Sequence, residues 1–216
     1  MFQCRIHHMH YCDHNSDLQS IQAIPAMQRR RLSGLAKLAL HAAQLAKQQY
    51  NQPIDYIVWS SHYGDEKNTL NILMDIAENQ SPSPTQFSTS VHNAIAGLYS
   101  ILFQDPTPST SMSSAAHHSW QDALFEAYAY LKSNHQQSAL LIYYDEPLPQ
   151  VYNQDYAVVS QAYAIATVIS LVQPNLLLQP ADQITDHQVE SVQAFYQFWQ
   201  GQAMNWQHQG WIYQKC

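Results

Sequence analysis

With 216 residues, 46% of them apolar and 12% aromatic, the chain can build one domain with a real core and is too hydrophobic for disorder. A formal charge of -7, from 9 Lys and Arg against 16 Asp and Glu, argues against nucleic acid as a partner, because phosphate neutralisation needs a basic face. Charged residues make up only 12% of the chain, about half the usual share, so its surface is easily desolvated and suits a large interface.

In chain order, "FQCRIHHMHY" reads as a strand. After Pro25 comes a helix in which Leu35, Leu38, Ala39, Ala42, Leu45 and Ala46 fall on one stripe, and the run Arg29-Arg30-Arg31 reads as its solvated first turn. "IDYIVWSS" is apolar on both faces, as in a covered parallel sheet. "KNTLNILMDIAEN" predicts a helix with Leu70, Leu73, Met74 and Ala77 at helical spacing, and "VHNAIAGLYSILF" a second one rich in small residues. "STSMSS" reads as a short strand. It leads into a helix whose stripe is Trp120, Ala123, Leu124, Ala127, Tyr128 and Leu131. "SALLIYYDE" and "AYAIATVISLV" are strong strands, the latter far too short to span a bilayer. "TDHQVESVQAFYQFWQ" is the last clear helix, with Thr185 or Asp186 as N-cap and a stripe of Val189, Val192, Phe195, Tyr196 and Trp199. Gly210 and the short apolar segment "WIYQKC" follow.

Strands alternating with helices imply an α/β layer fold around a largely parallel sheet. The loops "NQSPSPTQ" and "QDPTPSTS" punctuate this pattern without dividing it. The cysteines Cys4, Cys12 and Cys216 form no paired spacing, and "MFQCRIHHMH" lacks the apolar core of a signal peptide. Together they point to a reducing cytoplasm as the expected location.

The cluster His7, His8, His10, Cys12, Asp13 and His14 has metal-competent residue types. In one strand His8, His10, Cys12 and His14 share a face, but same-face neighbours stand about 7 Å apart. Several cannot reach one ion at about 2 Å, so no metal is expected. No glycine flanks Ser113 or Ser114, so "STSMSSAAHHSW" lacks the G-x-S-x-G elbow of a serine hydrolase. With 5 glycines and no G-x-G-x-x-G or Walker loop, no nucleotide cofactor is expected either.

"SVHNAIAG" resembles the Asn-x-x-Ala-Gly helix of β-ketoacyl-acyl-carrier-protein synthases of the thiolase-like superfamily, and "PSTSMSSAA" resembles their nucleophile strand. The two run without a gap from Asn93 to Ala116, and the likeness covers about four fifths of the chain. It implies a thiolase-like half-fold, α/β, with a central mixed five-stranded sheet carrying helices on both faces. Residues 1–172 form this half domain, and a roughly 44-residue helical and aromatic tail, 173–216, packs on it or on a partner.

By the same resemblance Ala116 stands where the synthase has its cysteine, and a methyl group cannot form a thioester. The half that supplies the two catalytic histidines is absent, and His117 and His118 do not match them. Such a chain resembles the short chain-length-factor proteins of aryl polyene and related type II polyketide and fatty-acid-like systems. These are not enzymes themselves but pair with a full-length ketosynthase to make an acyltransferase complex. The expected partners are that ketosynthase, in a hetero-oligomer, and an acyl carrier protein contacted weakly or indirectly.

The resemblance implies that His62, Tyr63, Gln86, Phe87 and Met112 line the partner's acyl tunnel, and that Asn93, Ser109, Ser111 and Ser113 lie at the interface. Two other readings stay open. One is a stand-alone thioesterase or acyltransferase using Ser114, His117 or His118; the other is a homodimeric scaffold or acyl-carrier-binding module.

Overall fold

The structure is a computed structural model that describes residues 2–115, 118–152, 159–182 and 191–216. Its elements are, in chain order, β1 (Phe2–Ile6), β2 (His10–Asp13), α1 (Ala26–Arg29), α2 (Gly34–Tyr50), β3 (Tyr56–Ser60), α3 (Glu66–Ala77), α4 (Pro84–Ser90) and α5 (Ala94–Phe103). Then come β4 (Ser109–Met112), α6 (Ser119–Ser133), β5 (Ser138–Asp145), β6 (Tyr163–Ser170), β7 (Leu176–Pro180), α7 (Ser191–Gln200), β8 (Asn205–His208) and β9 (Trp211–Lys215).

The strands form one sheet in the order β4-β3-β5-β6-β1-β7-β9-β8, with β2 also paired to β6. β3 runs parallel to β4 and β5, with Val58 opposite Thr110 on one side and Leu141 on the other. β6 then reverses direction against β5. β5 and β6 are buried along their whole length because helices cover both faces of the sheet. On one face α2 packs over β5 and β6 with α5 beside it; on the other lie α6 and α7.

Local chemistry sets the helix ends. The Ser33 hydroxyl accepts from the Ala36 N–H at 3.1 Å and starts α2, while Asn51 in the left-handed region (φ 52°) ends it. The helix expected after Pro25 is therefore two pieces. Arg29 ends the first and donates to the carbonyls of Gln22 and Ile24. Within α2, alanines at alternate core positions let the helix lie close on the sheet, and Leu35, Leu38, Ala39, Ala42 and Ala46 are buried.

The N-terminal segment is not one continuous strand. Arg5 and Ile6 pair with Ser170 and Ile169, but His10 pairs with Ala166, so three residues, 7–9, oppose two on β6. This one-residue bulge reverses the faces. Phe2, Cys4 and Ile6 point into the core beneath α6, and after the bulge Met9 does so too, while Cys12 joins the core beneath α2. His14 lies beyond the strand, and the expected shared face of His8, His10, Cys12 and His14 does not form. The side-chain amide of Asn175 holds the bulge, accepting from the Ile6 N–H at 2.7 Å and donating to the Ile6 carbonyl at 2.9 Å.

Counting β1 and β2 as one interrupted strand, the mixed five-stranded core of a thiolase-like half-fold is present, with helices on both faces. The tail holds the expected helix, α7, and in addition three strands, β7, β8 and β9, that extend the sheet beyond β1. Val192, Phe195, Phe198 and Tyr213 of the tail pack against Trp120 and Leu124 of α6 in one core. The N-cap positions Thr185 and Asp186, and Val189, lie outside the described residues.

One stripe departs from expectation. On α3 only Ile72 is buried; Leu73 and Met74 face outward, as do Ile76, Phe87, Val91 and Ile101 nearby in sequence. Helix α3 rests on α4 rather than on the sheet, so among the described residues most of its apolar spacing meets no core. Among the described residues no helix is long and apolar enough to cross a membrane.

Candidate functional site at the ends of the parallel strands

In an open α/β sheet, ligands gather at the carboxyl ends of parallel strands, where loops diverge and backbone groups are free to point outward. Here three such ends lie side by side: Ser61 to Gly64 after β3, Ser113 to Ala115 after β4, and Asp145 with Glu146 at the end of β5. The loop after β3 turns on Gly64 (φ 74°), whose N–H donates to the Ser61 hydroxyl at 2.6 Å. A side chain at Gly64 would meet the His92 ring.

His62 is held at three of its atoms. Its N–H donates to Asp145 Oδ2 at 3.3 Å. Its ring Nδ1 lies 2.6 Å from the Ser114 carbonyl. A carbonyl only accepts, so Nδ1 carries a proton. Its own carbonyl accepts from the Ser113 hydroxyl at 2.6 Å. The Tyr63 ring lies against it, centroids 3.8 Å apart. Asp145 is fully buried, and its Oδ2 also accepts from the Tyr143 hydroxyl at 2.9 Å. Next to it, burial and the negative charge of Asp65 push the Glu146 carboxyl up to about 7, with Lys67 opposing.

The predicted site residues fall into two groups. His62, Tyr63, Ser113 and Met112 meet at the strand ends just described. Gln86 and Phe87 lie on α4, and Phe87 is 62% exposed, outside the core of this chain. Asn93 occupies the N-cap position of α5 without a side-chain capping bond. Ser109 and Ser111 lie on β4, which among the described residues pairs only with β3 and ends the sheet. Ala116 and His117 lie outside the described residues, and His118 directly precedes α6.

The Ser113 hydroxyl is spent on a backbone carbonyl, and the Ser114 hydroxyl has no hydrogen-bond partner among the described residues. A serine–histidine contact does occur elsewhere, Ser20 Oγ to His41 Nδ1 at 2.6 Å, and it ties the short turn Gln19–Ile21 to α2. The two buried thiols are held protonated: burial pushes Cys12 up to about 11 and Cys4 higher still. Burial, then the charges of His8 and His41, pushes His10 down to about 4, and no metal-holding cluster of three or more groups exists among the described residues.

Sequence reasoning missed Asp145, Ser61, Gly64 and His92. The one signal was an aspartate closing the apolar run "SALLIYY", which reads as a strand's exposed end but is fully buried here.

The family model described as β-ketoacyl synthase, N-terminal domain, matches residues 6–213. Among solved structures, 99% of the chain superposes on 98% of a chain in the complex of the ketosynthase ApeO with its chain length factor ApeC from Xenorhabdus doucetiae, at 21% identity and a TM-score of 0.80. The ishigamide ketosynthase/chain length factor matches at 15% identity and a TM-score of 0.60, over 78% of this chain and 54% of that one. A β-ketoacyl synthase from Burkholderia phymatum STM815 matches at 13% identity and a TM-score of 0.55, over 74% and 51%. The chain thus spans about half the length of these last two. No curated protein sequence matches it.

Proposed function

From the premise that the chain belongs to the β-ketoacyl synthase family, as its N-terminal domain, we propose that it is a non-catalytic, chain-length-factor-like subunit. It pairs with a catalytic β-ketoacyl-acyl-carrier-protein synthase and shapes that partner's acyl tunnel, in aryl polyene or related polyketide-type biosynthesis. The observation that carries this reading is the end of the sheet at β4: among the described residues its outer edge pairs with no strand, and beside it in the fold α5 carries Ile101, which is 73% exposed. An edge strand without a guarding charge, next to apolar side chains, is a template for another sheet.

Two further facts support the pairing. The near end-to-end superposition is on a chain from a complex whose name pairs a ketosynthase with a chain length factor. Ala116 cannot carry an acyl group, so a thioester would have to form on the other subunit. In this reading Phe87 and Gln86 reach into the partner's tunnel, with His62, Tyr63 and Met112 behind them. An acyl chain that meets a bulky side chain at the tunnel base is overpacked by about 1–3 kcal/mol, and a single step of ~1.4 kcal/mol changes relative rates about tenfold.

Co-expression with the ketosynthase tests this. A stable complex is expected, with Phe87→Ala or Gln86→Ala lengthening the product. A chain that purifies as a monomer with no affinity for the synthase sinks the reading. Capture of the carrier protein without the synthase would favour the scaffold reading.

A further inference from the structure

The geometry points to Asp145 as a positioning residue that sets product length without touching the acyl chain, by fixing His62 and Tyr63 at the ends of the three parallel strands. The inference rests on the tunnel-shaping role proposed above. Asp145 is fully buried at the end of β5, where an apolar residue would cost far less to bury. A carboxylate in such a place needs hydrogen bonds to the groups around it, and it orients whatever donates to it. Here the donors are the Tyr143 hydroxyl, from its own strand, and the backbone N–H of His62, from the loop after β3.

That backbone bond is one arm of a clamp. The His62 ring reaches the Ser114 carbonyl, and the Ser113 hydroxyl reaches the His62 carbonyl. The residue is therefore fastened to the ends of both neighbouring strands, β5 through Asp145 and β4 through Ser113 and Ser114. Behind it the loop is closed by the Ser61–Gly64 bond, and His92 Nε2 lies 3.4 Å from the Ser61 carbonyl. His92 precedes Asn93, the N-cap of α5, and Tyr144, next to Asp145, donates its hydroxyl to the His92 carbonyl at 3.4 Å. The residues that hold His62 thus also reach the junction of α4 and α5, where Phe87 sits four residues before Val91. A change at Asp145 moves the tunnel residues on both loops through backbone contacts, while β4's outer edge stays as it is.

The test uses the co-purified complex. Asp145→Ala is expected to shift the ratio of the longest product to the next shorter one by twofold or more, with complex yield unchanged. Asp145→Asn, which keeps an acceptor for the His62 N–H, is expected to restore most of the wild-type ratio. Hydrogen exchange at the His62 amide should speed up at least tenfold in the alanine variant. If Asp145→Ala prevents folding, Ser113→Ala releases the clamp from the β4 side, and the product ratio should move as well. Wild-type product ratios in both alanine variants, or an unchanged His62 exchange rate, overturn the inference. If the wild-type chain binds no ketosynthase, the partner reading fails instead, and His62 exchange in the lone chain still decides whether Asp145 fixes the loop.

Discussion

At the tail end of the sheet, Val192, Phe195 and Tyr213 are at most 1% exposed, whereas at the β4 end Phe87 and Ile101 are 62% and 73% exposed. The tail closes its own core. α7 lays Phe195 against Trp120, and β8 and β9 bring Trp206 and Tyr213 against the same ring. Among the described residues nothing does this for the outer faces of α3, α4 and α5, and the outward Leu73, Met74 and Ile76 of α3 repeat the pattern. Among the described residues each terminal strand has a strand partner on one side, but β8 is flanked by aromatic packing, with Met204 the exposed large apolar side chain beside it. Among the described residues one end is packed within the chain, and the other leaves a strand edge and apolar side chains outward.

The contrast can be broken from either end. Phe195→Ala should lower the stability of the lone chain by about 3–5 kcal/mol, because a fully buried aromatic leaves a cavity; denaturant unfolding measures it. Ile101→Asp should change that stability by under about 0.5 kcal/mol, as exposed sites do. It should nonetheless weaken the complex with the ketosynthase at least tenfold, about 1.4 kcal/mol, read by titration. If both variants behave alike in the lone chain, the two ends do not differ as described. Ser111→Lys puts a charge on the β4 edge and should weaken the complex several-fold, with the lone chain unaffected.

The smallest effects are in pH. The Glu146 carboxyl is raised from 4.5 to about 7 in the fold, so the folded state binds the extra proton. Its stabilising share is present below about pH 4.5 and is lost as pH rises through 7. Melting temperature should fall across that window, and Glu146→Gln should flatten the decline. Asp105 runs the other way. Burial alone would raise it, but the Lys47 ammonium at 2.6 Å and the Thr107 N–H bring it down to about 2. Its share is present above about pH 3.8 and is lost as pH falls toward 2.

Much of this was legible before the fold. The buried strands β3, β5 and β6, the stripes of α2 and α6 and the last helix all follow from periodicity, because one face of each must be apolar to pack. The α3 stripe misled for the same reason: apolar spacing marks a face able to pack, and α3 leaves most of that face outward. The bulge at residues 7–9 was illegible because "HHMH" has no alternation to register a slipped residue. The strands of the tail were hidden by their length, four and five residues, among aromatics that also suit a helix.

By itself the sequence determined the alternating strands and helices of an α/β half-fold, and its motifs carried the resemblance to the β-ketoacyl synthase family. Those depend on local periodicity and on residue identity. Only the tertiary structure decided that the tail extends the sheet and fills its own core, that β4 is left at an open edge, and that Asp145 is buried against His62. These depend on which strands become neighbours, and partners 83 residues apart, such as His62 and Asp145, meet only once the sheet order is set.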